Sequence, residues 1–123
     1  NIEARTTVDM VLHQILPAAL AYSSDLAESI NRKRTALGEN VKATTENSLV
    51  TRISNRCDCL YEKTERLFAE LENVPGDLAA ANTYYSELIV PGMEAVRKDA
   101  DFLEKLTAKS YWPYPTYSDL LFY

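Results

Sequence analysis

The chain has 123 residues, enough for one ordinary domain that buries roughly two-thirds of its unfolded surface, with 46% hydrophobic residues and 25% charged ones. Eighteen acidic residues against 13 basic ones leave a net charge of −5, which argues against a nucleic-acid or anionic-membrane surface. There are two cysteines, no signal-like start and no apolar run approaching the eighteen or so residues of a membrane span, so the composition reads as soluble and cytoplasmic.

The first element is a helix over about residues 3–36. Val8, Leu12, Ile15, Ala19, Tyr22, Leu26 and Ile30 recur at spacings of four and three and share one stripe. Arg32, Lys33 and Arg34 fall in its last turns, where cations complement the carbonyl end of the helix dipole, and Gly38 supplies a stop. The basic run is therefore an end-of-helix feature. The chain starts at Asn1, not at methionine, and is helical almost at once, which suggests a piece excised from a longer enzyme.

The second helix covers about residues 42–73, with caps available between Asn40 and Thr45. Ile53, Cys57, Leu60, Thr64, Leu67, Leu71 and Val74 form its inward stripe. The pairs Glu28–Arg32 and Glu62–Arg66 are i,i+4 ion pairs worth ~0.3 kcal/mol each. "NVPGD" then breaks the helix, and Asp77 is placed to cap the next.

The third helix covers about residues 77–109, with Leu78, Ala81, Tyr85, Leu88, Gly92, Val96, Leu103 and Leu106 expected inside. Rods of some thirty residues, roughly 45 Å long, joined by short links imply antiparallel neighbours. The expected fold is all-α: an up-down-up antiparallel bundle of three long helices with an extended aromatic and proline-rich tail over residues 110–123. Pro17 in "QILPAAL" and Pro91 in "LIVPGME" interrupt the outer helices in similar contexts. Each removes a hydrogen bond and clashes with the preceding turn at a cost of ~3 kcal/mol unless a distortion absorbs it. A shared bend along a curved surface is the plainer reading, a hinge the other. Gly92 beside Pro91 allows close approach of a neighbour.

No catalytic, cofactor-binding or metal constellation is found. A di-metal carboxylate bundle needs paired Glu-x-x-His motifs; the single histidine, His13, has Met10 where the glutamate would stand and lies beside the inward stripe. "CDC" lacks the two-residue spacer of a redox pair and any second Cys/His cluster for zinc. Cys57 reads as a small core hydrophobe and Cys59 as off the stripe. Phosphate-cradling glycine loops and Gly-x-Ser-x-Gly are lacking.

The ending "YWPYPTYSDLLFY" carries six of the twelve aromatic side chains and two of the five prolines. Pro113 and Pro115 forbid helix and bias Trp112 and Tyr114 to extended backbone. So apolar a segment must pack against its own bundle, another domain or another subunit. Tyr111, Trp112, Tyr114, Tyr117, Leu120, Leu121 and Phe122 are the candidate docking residues.

Residues 111–122 resemble the carboxyl-terminal signature of the type III glutamine synthetases, "YWPFPTYGDLLF", with Ser118 in place of its glycine. "NIEARTTVDMVLHQILPAALAYSSDLAESI" resembles that family's entry into its C-terminal helical region, and "LIVPGMEAVRKDADFLEKL" its third helix. The resemblance implies a parent that ligates ammonia to glutamate with ATP and magnesium, assembled as a large homo-oligomer, its catalytic residues upstream of this segment. This chain would then be a non-catalytic accessory domain in structure, assembly or regulation. Its partners would be the upstream catalytic region and neighbouring subunits, with no nucleic acid and no membrane. The alternative is a freestanding helical adaptor that presents a groove to a partner helix; a bundle with chemistry of its own ranks last.

Overall fold

The computed structural model describes residues 2–115, and these form three helices with no strand among them. Helix α1 covers residues 2–37 as Ile2–Met10, a π-helical turn Val11–Ile15, and Leu16–Leu37. Helix α2 is Thr44–Glu72. Helix α3 covers residues 78–106 as Leu78–Tyr84, a second π-helical turn Tyr85–Ile89, and Val90–Leu106.

The helix ends follow local chemistry. Gly38 closes α1 at φ 102°, the left-handed region that glycine enters without a Cβ clash, and its N–H donates to the Arg34 carbonyl at 2.8 Å. Helix α2 begins without a side-chain cap. The residue ahead of it is Ala43, buried, whose carbonyl accepts from both the backbone N–H and the side-chain amide of Asn47 at 2.9 and 3.0 Å. Asp77 caps α3 by accepting from the Ala80 N–H at 3.0 Å. That helix stops at Leu106, three residues short of expectation, because Thr107 turns to extended backbone with its side chain buried.

The π-turns answer the two prolines. Each begins six residues before its proline, Val11 before Pro17 and Tyr85 before Pro91, and closes on a bond to the carbonyl five residues back: Leu16 N–H to Val11 and Val90 N–H to Tyr85. The wider turn makes room for a residue that has no N–H and whose ring crowds the preceding carbonyls. It also shifts the side-chain register. On α3, Leu88 was expected inside but is 43% exposed, and its neighbour Ile89 is fully buried. Leu78, also expected inside, is exposed in the first turn.

The core runs along one seam. Ala4, Val8, Val11, Ile15, Leu16 and Ala19 of α1 meet Ile53, Cys57, Leu60, Leu67 and Leu71 of α2 and Ile89, Val96 and Leu103 of α3. Fully burying a Leu- or Ile-sized side chain stabilises by about 1.5–3 kcal/mol, so this seam dominates the fold. Gly92 lies close to α2: a Cβ built there would stand 3.2 Å from Leu67 Cδ1, a contact the leucine methyl would have to yield to by a few tenths of an ångström.

Pairs at the helix ends record how the rods lie. Arg5 near the start of α1 pairs with Glu72 at the end of α2 at 3.4 Å, and Lys33 near the end of α1 pairs with Glu46 in the first turn of α2. The Tyr84 hydroxyl of α3 donates to the Glu70 carbonyl of α2 at 2.7 Å. Among the described residues no helix is long and apolar enough to cross a membrane.

Candidate functional site

Two surfaces hold polar groups against packed aromatic rings. The first lies between α1 and α3, where the start of the tail folds back. The Tyr111 and Trp112 N–H groups donate to the Ala108 and Lys109 carbonyls at 2.9 and 3.2 Å, a turn that reverses the chain after α3. Tyr111 then packs its ring on Tyr22 of α1, centroids 5.0 Å apart, and donates its hydroxyl to the Asp25 carboxylate. That contact holds the Tyr111 hydroxyl above its ordinary range, with burial and the Asp25 charge adding to it.

Trp112 and Tyr114 are half-buried against the core. They wall a cleft of about 310 Å³ with Met10, Val11, Ile15 and Val96 beneath and Arg97, Asp101 and Glu104 at its rim. Burial pushes the Tyr114 hydroxyl up, and that oxygen is buried with no hydrogen-bond partner. Of the seven candidate docking residues, then, Tyr111, Trp112 and Tyr114 lie together on this face. Tyr117, Leu120, Leu121 and Phe122 lie outside the described residues.

The second surface joins α2 to α3 and was not singled out from the sequence. Asp99 is 1% exposed; its Oδ1 accepts from Arg56 at 2.9 Å, and Lys63 Nζ stands 3.0 Å from Oδ2 as an ionic contact, not a directed hydrogen bond. Arg56 lies 4.0 Å from the centroid of the Phe102 ring and Arg52 lies 5.5 Å from it. Hydrophobic periodicity passes over an aspartate on an inward stripe. The signal available was the spacing Val96, Asp99, Leu103, which puts Asp99 between two core residues.

His13 is exposed. Cys57 is buried, its thiol pushed up to about 11 by desolvation first and the Asp58 charge second, while Cys59 is exposed. A thiol so raised is a poor nucleophile. Among the described residues no group of three or more His, Cys, Asp or Glu side chains converges where a metal ion could be held.

Comparison with known proteins bears on the same segment. The family described as the glutamine synthetase C-terminal domain matches residues 1–34. Over 99% of its length the chain is 30% identical to the type-3 glutamine synthetase of Dictyostelium discoideum. The chain is related to the C-terminal part of the type III glutamine synthetases. It is also 27% identical, again over 99% of its length, to glutamine synthetases of Butyrivibrio fibrisolvens and Bacteroides fragilis. It spans 17–18% of the length of these relatives.

Proposed function

We propose that the chain serves as a non-catalytic C-terminal helical domain of a type III glutamine synthetase, with a role in structure and assembly. The observation that carries this reading is the return of Tyr111 and Trp112 onto the α1–α3 face, which packs the start of the aromatic segment against the bundle. The rods form an up-down-up bundle. The ion pairs Arg5–Glu72 and Lys33–Glu46, together with the Tyr84–Glu70 bond, support that topology.

The parent enzyme would ligate ammonia to glutamate in the cytoplasm, with ATP and magnesium, as a large homo-oligomer. The described residues bring no metal-ligating cluster together, so no step through ATP or magnesium is assigned to them. What this chain contributes is a helical body that would pack against the upstream catalytic region or a neighbouring subunit. The test is removal of residues 111–123 from the full-length enzyme. The reading expects loss of thermal stability and of assembly. Unchanged stability, assembly and activity would contradict it.

A further inference from the structure

The two clefts beside α3 differ in charge. Asp101 and Glu104 outnumber Arg97 at the tail-side cleft against α1. On the α2 side, a second cleft of about 290 Å³ is lined by Arg52, Asn55, Arg56, Cys59 and Phe102. Lys98 and Lys105, four residues before and three after Phe102, are exposed and share its helical face. A chain of net charge −5 thus presents a cationic groove.

The groove is not neutralised from within. Arg56 and Lys63 share a single carboxylate, that of Asp99. Arg52 makes no ion pair among the described residues; its charge is met only by the Phe102 ring. One ring thus holds two guanidinium groups at the same cleft, and Asp99 fixes one of them in place. Guanidinium forks match the geometry of carboxylate and phosphate oxygens, and the Asn55 amide adds a donor beside them. A bound anion would relieve the repulsion between the two arginines and find its donors already positioned.

We propose that the Arg52–Arg56–Asn55 cleft over Phe102 is a binding site for a small oxyanion, a phosphate or a carboxylate. Asp99 acts as a positioning residue, since it holds Arg56 and does not line the cleft.

The test is calorimetric titration and thermal unfolding of the 123-residue protein with sodium phosphate and, separately, sodium glutamate, each against sodium chloride at matched ionic strength. Binding is expected with a dissociation constant on the order of 1 mM. A response to phosphate alone assigns a phosphate ligand; a response to glutamate assigns a carboxylate. Arg52→Ala is expected to weaken binding about tenfold, with Arg52→Lys intermediate because charge remains while the fork is lost. Lys42→Ala, in the link between α1 and α2, should leave it unchanged. Arg52 is exposed and in no ion pair, so both variants should fold. Anion effects that equal those of chloride, or that survive Arg52→Ala, would overturn the proposal.

Discussion

Asp99 of α3 reaches Arg56 of α2 at 2.9 Å from a position that is 1% exposed, so the contact between these helices includes a desolvated carboxylate. Removing one partner of a buried ion pair costs about 3–5 kcal/mol when the other charge is left stranded. Here the Arg56 and Lys63 side chains are 36% and 40% exposed and can turn to water. Asp99→Asn is therefore expected to lower unfolding free energy by about 2 kcal/mol, read as a shift in urea midpoint at unchanged slope. A variant within experimental error of the native protein would show that the carboxylate does not matter to the packing.

The register shift on α3 has its own test. Ile89 is fully buried while Leu88 is not. Ile89→Ala should cost about 2–5 kcal/mol, as other large-to-small core changes do, and Leu88→Ala below about 1 kcal/mol. A reversed order would return α3 to uninterrupted α-helical spacing and remove its π-turn.

These comparisons mark what could be read in advance. On α2, which holds no proline, six of the seven inward positions named from periodicity are buried: Ile53, Cys57, Leu60, Thr64, Leu67 and Leu71. A stripe of apolar residues at 3.6 spacing has one way to meet its neighbours. On α3 the same reasoning failed at Leu88 although it held at Val96 and Leu103, because the π-turn shifts the register locally and leaves no mark in hydrophobicity beyond the proline itself. That Tyr111, Trp112 and Tyr114 lie outside the third helix was legible because the two prolines forbid its continuation. Their receivers on α1, Tyr22 and Asp25, were not, since contacts between residues 86 apart depend on where α3 ends. The Arg52–Phe102–Asp99 group was missed for a related reason: cations scattered along two helices converge only once the helices pack.

The cysteines should separate by reactivity. Cys59 is exposed and should react with a thiol reagent in the native protein, whereas Cys57 should react only on unfolding. Alkaline pH reinforces the contrast. The folded state holds the Cys57 thiol up at about 11 from an ordinary 9.0, so the unfolded chain loses its proton first and stability falls as pH rises between those values. Cys57→Ala should remove part of that fall. Equal labelling rates for the two thiols in native buffer would place Cys57 outside the core.

Acid should act through Glu46. Its side-chain bond to Lys33 is the largest of the effects that hold its carboxyl below the ordinary 4.5. A depressed carboxyl contributes stability that is present above its unfolded value and lost as pH falls through the folded one. Glu46→Gln should flatten the acid limb of a stability curve taken between about pH 3 and pH 6. At the other end Tyr111, held above an ordinary 10.0 chiefly by Asp25, loses its contribution as pH rises through its folded value, and Tyr111→Phe should flatten that limb. Unaltered limbs in both variants would show that neither contact stabilises the fold.

The scaffold role itself is tested most directly by steady-state kinetics on the full-length enzyme carrying Trp112→Ala and Tyr114→Ala, with the assembled fraction isolated by size before assay. The account predicts a lower melting temperature and less assembled enzyme, with kcat and the KM values for glutamate, ammonia and ATP unchanged in the fraction that assembles. A fall in kcat of about tenfold or more, equivalent to ~1.4 kcal/mol of transition-state stabilisation, in enzyme of native size would contradict it and place the tail in the chemistry.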